Sequence, residues 1–263
     1  MLRERIAKSE TLVGSFVFLP SPDMVEILAL AGMDFVIIDI EHSPKDWDTI
    51  IHMIRAANIH DLPALIRVSE NSEKLILQCL EIGADGLVLP FVQSAEDVKR
   101  AVAASFYPPE GARGTCTLTR MTGYGDKRSR FIEHCRKQNE RLVIIGQVED
   151  KLGVENIEAI LSVKPGLDAV LVGRSDLAAS LGEPGNVESG EVLAATGKIL
   201  DAIGKFPGVA AAMGIYGAAE IERWKSENCT IFFAPSDGIL ALNGARAWLE
   251  NVRGTSQRKR ANG

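Results

Sequence analysis

The 263-residue sequence holds only four cysteines, Cys79, Cys116, Cys135 and Cys229, and none of them forms a C-x-x-C pair. Such scatter argues against a disulfide framework or a cysteine-built metal site and reads as reduced thiols in a cytoplasmic protein. Long hydrophobic runs are also missing: no stretch reaches the roughly 18 apolar residues of a membrane span. The early run "TLVGSFVFLP" leads into "SPD" with no small-residue cleavage site, so it reads as a strand and not as a signal peptide. Basic charge is scarce. The net charge is −6, and the basic cluster "RKR" at 258–260 falls in a terminal tail, which argues against nucleic acid as a partner. No G-x-G-x-x-G or P-loop follows the first strand, where the turn is "LPSPD", so a nucleotide-binding open sheet lacks its fingerprint.

What is present is a core's worth of apolar residues, 46% of the chain, arranged in a rhythm. Short aliphatic runs recur at 12–18, 35–41, 62–68, 86–91, 141–149, 167–173, 208–215 and 229–236. Helical patterns such as "DMVEILALAG", "SEKLILQCLEIG" and "SAEDVKRAVAASF" separate them, several opening with Ser, Asp or Asn as N-caps. Near-continuous apolar strands alternating with helices predict a parallel sheet covered on both faces. Eight such units in this length predict a single (β/α)8 TIM barrel over residues 1–253, followed by a disordered tail at 254–263. One segment breaks the rhythm: "PPEGARGTCTLTRMTGYGDKRSR", 108–130, is too long for a minimal connector and is read as a lid, an interface segment or a tolerated surface insertion.

Barrel active sites sit at the C-terminal ends of the strands, so the residues placed there matter most. The second strand runs into Asp39, Glu41 and His42, the third into Arg67, and the fifth into Gln147 and Glu149. The sixth runs into Arg174, Ser175 and Asp176, and the eighth into Ser236 and Asp237. Glu149 and Asp176 fall on neighbouring strands. They suit a general acid/base pair or, preferably, two ligands of a hard divalent cation, which would keep both ionised; the bland reading of Asp176 is a helix cap.

Histidine does not suggest zinc. His52, His60 and His134 have no partner at ligand spacing and are expected at the surface. His42 differs, because Asp39 three residues earlier would orient its ring for acid/base work; the alternative is a histidine that merely caps a loop. Arg67 needs an anion or an oxo group as partner, or a rim carboxylate in a plain salt bridge. The backbone N–H groups after Arg174 open a helix start suited to a substrate carboxylate. None of the eight strand candidates carries a lysine at an inner position, since Lys45 and Lys151 lie just beyond them, which disfavours an imine-forming aldolase.

The stretches "GMDFVIIDIEHSPKDW", "PALIRV", "GADGLVLPFVQSAEDVKRAV", "YPPEGARG", "GQVED", "GLDAVLVGRSDLAASLG" and "FFAPSDGILALNGA" resemble, in order and spacing over residues 12–250, the HpcH/HpaI aldolases of the phosphoenolpyruvate/pyruvate barrel superfamily. The resemblance implies a class II, divalent-metal-dependent lyase that cleaves 4-hydroxy-2-oxo acids reversibly to pyruvate and an aldehyde in aromatic-compound or sugar-acid catabolism. It implies Glu149 and Asp176 as ligands of Mg2+, Mn2+ or Co2+, Arg67 on the oxo or enolate oxygen, and His42 with Asp39 as acid/base. Gln147 would lie beside the metal, and the Ser175 and Asp176 amides would hold the pyruvate carboxylate. It also implies a hexamer, a trimer of dimers, that exchanges the final helix "GILALNGARAWLENV". The chain departs from the family pattern at Ile40, Asp150, Ala178 and Arg174. Arg174 is expected to add positive charge near the mouth, where it leaves an acidic or bulky acceptor open. The alternatives are another enolate C–C lyase, such as an oxaloacetate decarboxylase, or a non-catalytic binding barrel.

Overall fold

The computed structural model describes residues 1–215, 217 and 219–253; the tail at 254–263 lies outside the described residues. The elements run α1 (Leu2–Ala7), β1 (Leu12–Val17), α2 (Pro22–Leu30), β2 (Phe35–Asp39), α3 (Trp47–Ile59), β3 (Ala64–Arg67), α4 (Glu73–Glu81), β4 (Gly86–Leu89) and α5 (Ala95–Ser105). There follow α6 (Phe131–Arg141), β5 (Val143–Val148), α7 (Lys151–Glu155), α8 (Ile157–Leu161), β6 (Ala169–Val172), α9 (Arg174–Ser180) and α10 (Gly190–Gly204). The chain closes with β7 (Ala210–Gly214), α11 (Ala219–Ser226), β8 (Cys229–Ala234) and α12 (Asp237–Arg253). The eight strands are parallel, pair in sequence order and close β8 onto β1, so the fold is the (β/α)8 TIM barrel.

Alternation along the strands sorts side chains into two cores. Val36, Ile38, Ile66, Leu87 and Ile144 face outward onto the helices. Phe35, Ile37, Leu65, Val88, Ile145, Leu171 and Phe233 fill the barrel, and Leu2 and Ile6 of α1 join them from below. The same alternation, carried one step further up β2, β3 and β5, turns Asp39, Arg67 and Gln147 inward as the next layer. Apolar layers therefore fill the lower barrel and a polar layer crowns it.

The connections reflect local chemistry. At the C-terminal face six helices are capped by side chains that accept a first-turn N–H: Ser21, Asp46, Ser72, Ser94, Asp150 and Ser189. At the opposite face three G-x-D triplets recur, at 32–34, 83–85 and 166–168, each Asp standing just before β2, β4 or β6. Asp34 accepts from Val13 N–H, Asp85 from Ala64 N–H and Asp168 from Ile144 N–H, tying each to the start of the preceding strand. Each also binds an arginine: Arg5, Arg141 and Arg3 respectively.

The 108–130 segment lies at this same lower face, because it leaves α5 at its C-terminus. Arg113, on the Tyr107 ring at 4.5 Å, bonds Glu81 at 3.2 Å; Arg120 bonds Ile82 O at 2.8 Å, and Met121 N–H bonds Glu81 O at 3.1 Å. A lid over this chain's own barrel mouth is therefore excluded: the segment is anchored at the other end.

Candidate functional site

The upper layer is built around Arg67. Strand register sets Asp39 directly beside it, and Arg67 Nε reaches Asp39 Oδ1 at 2.6 Å and Glu41 Oε2 at 3.2 Å. The guanidinium lies 4.6 Å from the Phe16 ring centroid and 5.9 Å from that of Phe18. Those aromatic faces fix a buried charge that would be costly without its carboxylates. Phe18 is held in turn: its N–H and that of Leu19 bond Asp237, and its carbonyl accepts from Ser43 Oγ. Asp237 is thus a tie between β1 and the start of α12.

Asp39 does not orient the His42 ring as expected. Its oxygens accept the Glu41 and His42 backbone N–H groups at 3.3 and 3.1 Å, shaping the turn, and the rest of it goes to Arg67. The carboxylate facing the ring is Glu41, whose Oε2 lies 3.7 Å from His42 Nε2. Burial pushes Glu41 above the usual carboxylate range, while Arg67 and His42 pull it down. The His42 side chain is 55% exposed, so its ring faces solvent. Glu41 was visible in "DIEHS", but spacing alone could not say which acid faces the histidine. Lys45 completes the turn by donating to Asp39 O at 2.7 Å and Ser43 Oγ at 2.8 Å.

Opposite stands Glu149, buried, accepting Phe91 N–H at 2.8 Å and the amide of Gln147. Phe91 adopts φ 47°, a left-handed conformation uncommon outside glycine, to present that N–H. Burial raises Glu149 to about 7, and Asp176 and Glu41 push it the same way. A Cβ on Gly173 would stand 2.6 Å from Glu149 Oε2, so glycine at this point makes room for the carboxylate. Asp176 is the third residue of α9 and not its cap, since Gly173 takes the cap position. Asp176 raises both Glu149 and Glu41, which places three carboxylates around one opening.

Among the described residues no set of three or more His, Cys, Asp or Glu is arranged to hold a metal. The donor set fits a hard cation nonetheless. Two carboxylates leave most coordination positions to water and substrate oxygens, as Mg2+ prefers. The crowding of Glu149 with like charge is what such an ion would relieve, and Gln147 Oε1, buried beside it, accepts no hydrogen bond from the chain.

Two other expectations change. Arg174, expected to charge the mouth, is 2% exposed and turned away into the shell: it bonds Glu188 at 2.8 Å, Gly214 O at 3.0 Å and Glu220, and stacks 4.9 Å from Trp224. Its aliphatic length carries the guanidinium under α11. His134, expected at the surface, is buried on α6 and stacks on Phe131, and burial lowers its pKa. Ser175 is exposed in the first turn of α9.

Comparison with known proteins bears on the whole barrel. A family model described as HpcH/HpaI aldolase/citrate lyase matches residues 12–236. The chain is 37% identical over 203 residues to the pyruvate aldolase of Rhizobium etli, covering 77% of each chain. It is 37% identical over 187 residues to the 5-keto-4-deoxy-D-glucarate aldolase of Salmonella paratyphi A, covering 71% of each. The crystal structure of an HpcH/HpaI aldolase/citrate lyase family protein from Burkholderia cenocepacia J2315 superposes with a TM-score of 0.88 at 31% identity, over 96% of this chain and 98% of that one.

Proposed function

The chain belongs to the HpcH/HpaI aldolase/citrate lyase family, and from that premise we propose a class II pyruvate-dependent aldolase that cleaves 4-hydroxy-2-oxo acids reversibly to pyruvate and an aldehyde. The observation that carries this reading is the opening itself: Glu41, Glu149 and Asp176 crowd one mouth beside a buried Arg67, with no lysine on any strand.

Glu149 and Asp176 would hold a divalent cation, Mg2+, Mn2+ or Co2+, in keeping with a family that is generally divalent-metal dependent. When bound, such an ion supplies Lewis-acid polarisation of the 2-oxo group. Arg67 places fixed positive charge where the oxo oxygen turns negative, and Asp39 and the two phenylalanine rings keep it there before the reaction begins. The Ser175 and Asp176 amides hold the substrate carboxylate at the start of α9, and Gln147 flanks the cation site. His42 takes the 4-hydroxyl proton, directly or through a water, with the Glu41 carboxylate 3.7 Å from its Nε2. The C3–C4 bond then breaks, its electron pair passes into the enolate of pyruvate, and a proton added at C3 completes the product.

The assay is pyruvate release from a panel of 4-hydroxy-2-oxo acids after chelation and again after each cation is restored. Cation-restored release supports the reading. Release from oxaloacetate alone would replace it with decarboxylation, and silence with no cation bound would leave a binding barrel.

We further place the protein in the cytoplasm, on its four free cysteines and on the absence, among the described residues, of a helix long and apolar enough to cross a membrane. Its partners are small 2-oxo acids and aldehydes. Self-association into a hexamer finds support in α12, where Ile239, Leu242, Trp248 and Val252 stand exposed and only Asp237 is buried. An apolar groove of about 440 Å3 between Val13, Ile215, Ile221, Phe232 and Pro235 suits a neighbour's helix. Removing residues 239–253 should return the protein to a monomer in light scattering.

A further inference from the structure

We propose, resting on the aldolase reading above, that Lys45 is a positioning residue for Arg67: it acts through Asp39, Ser43 and Phe18 to keep the guanidinium aimed at the oxygen that turns negative as the C3–C4 bond breaks.

Arg67, the last residue of β3, is anchored through one atom. Its Nε bonds Asp39 and lies 3.2 Å from Glu41, and among the described residues its two terminal nitrogens make no hydrogen bond. A planar guanidinium tethered in this way can still swing about its tether, so its aim depends on what lies against its faces. Those contacts are the rings of Phe16 and Phe18, 4.6 and 5.9 Å from the guanidinium and 6.3 Å from each other. Phe16 belongs to β1 and is fixed by the sheet. Phe18 lies just beyond the strand and takes its position from other groups.

The Phe18 backbone is pinned on both sides. Its N–H bonds Asp237 Oδ1 at 2.9 Å, and its carbonyl accepts the Ser43 hydroxyl proton. A serine has one proton to give, so its second contact must be as an acceptor, and Lys45 Nζ donates to it at 2.8 Å. The ammonium also donates to Ser43 O at 3.2 Å and, at 2.7 Å, to the carbonyl of Asp39, the residue whose carboxylate holds Arg67. The contacts close a circuit: Arg67, Asp39, Lys45, Ser43, Phe18 and back to Arg67. Lys45 is the member that joins the β2 side of it to the β1 side. Its charge strengthens the bonds it makes and polarises the serine hydroxyl that follows.

A turn can be closed by neutral Ser or Asn side chains, without an ammonium. Lys45 is half-buried; burial lowers its pKa, and Asp39 and Asp237 raise it. Positive charge is therefore kept at some desolvation cost between the two acids that fix either end of the brace. Donors held in place before the reaction need no rearrangement when charge develops. All these contacts lie within one subunit. Asp237 is fully buried at the first residue of α12, so the brace does not depend on where the rest of that helix packs.

The experiment measures the binding of oxalate and of pyruvate to the full-length, Mn2+-loaded protein by calorimetry. Oxalate carries negative charge where the enolate oxygen would stand, and pyruvate carries a neutral oxo group there. Lys45→Met keeps the length of the side chain and removes its three bonds. It should weaken oxalate about tenfold and pyruvate less than about twofold, a split that general loosening of the turn would not produce. In an Arg67→Ala background, where chelation by the cation keeps oxalate binding measurable, the same substitution should weaken oxalate no further. Ser43→Ala cuts the circuit one atom further on and should show the same split, which keeps the inference open to refutation should Lys45→Met fail to fold. Equal losses for the two ligands, no loss at all, or an undiminished loss in the Arg67→Ala background would overturn the inference and leave the aldolase reading intact. A parent that binds the cation but neither ligand would fell the aldolase reading and this inference with it.

Discussion

The two ends of the barrel handle carboxylates in opposite ways. At the lower end Asp34, Asp85 and Asp168 each hold one arginine and one backbone N–H of the preceding strand. Each of these three acids has a partner within its own chain. At the upper end Glu149 and Asp176 make no ion pair among the described residues, and Glu149 is raised to about 7 by burial and by its like-charged neighbours. The same residue chemistry, in one fold, closes a structure at one end and holds a site open at the other. The lesson is that an acid satisfied by its own chain contributes to folding, whereas acids set against one another await something the chain does not supply.

The strongest way to break this comparison is to neutralise the upper end. Glu149→Gln should lower cation-restored turnover by ~10³-fold or more, since it removes one of two proposed ligands, while leaving thermal stability unchanged or higher. Steady-state rates alongside a melting curve decide it, and full activity would remove Glu149 from the cation site. His42→Ala should slow cleavage by ~10²-fold, the usual range for lost proton transfer, with cation affinity retained. Its ring is more than half exposed, so a folding defect is not expected. An unchanged rate would return His42 to a purely local role.

The lower end should fail in the other direction. Asp168→Ala strands Arg3 and the buried Ile144 N–H together, and should cost about 2–3 kcal/mol in denaturant unfolding. Its kcat should stay within experimental error of the parent, because Asp168 precedes β6 at the end remote from the site. A large drop in kcat without loss of stability would mean that the two ends are coupled.

Most of the barrel was legible because its signals are periodic. All eight strand runs appear, with termini trimmed by a residue or more; the run at 35–41 ends at Asp39, where the turn begins. Orientation was less legible. The 108–130 segment stands out by its length and composition, but only its attachment to Glu81 and Ile82 fixes which end of the barrel it occupies. Arg174 follows β6 as its position in the sequence implies, yet a long side chain can reach several ways, and Glu188 and Glu220 arrive from 14 and 46 residues later. Glu41 and Asp39 stand two apart in the sequence, and the turn decides that one meets the ring and the other the backbone. The G-x-D triplets are visible in the sequence as a repeat, but their partners come from elsewhere in the chain, Arg3 and Arg5 from α1 and Arg141 from α6, so spacing alone does not reveal their role. Sequence period reports which face a residue takes; it does not report which distant side chain meets it there.

The finest test of the comparison is a pH slope. Glu149 titrates near 7 in the fold against a reference of 4.5, so between those values the folded chain binds more protons than the unfolded one. Stability then falls as pH rises, because the slope of unfolding free energy follows the unfolded minus the folded proton count. For this one group the loss from pH 6 to pH 7 is about 1 kcal/mol. His134 works against it: its pKa is lowered by burial, so the unfolded chain holds the extra proton and stability rises over the same interval. The net slope of the parent therefore decides nothing alone. The difference between the parent and Glu149→Gln, measured free of divalent cations, cancels His134 and isolates the carboxylate. That difference should shrink by about 1 kcal/mol on lowering the pH from 7 to 6, with the parent gaining on the variant. Saturating Mg2+ or Mn2+ should abolish the effect in the parent, since a bound cation holds the carboxylate ionised at both values. A pH-independent difference would mean that Glu149 is already ionised without a cation, and the contrast between the two ends of the barrel would lose its physical basis.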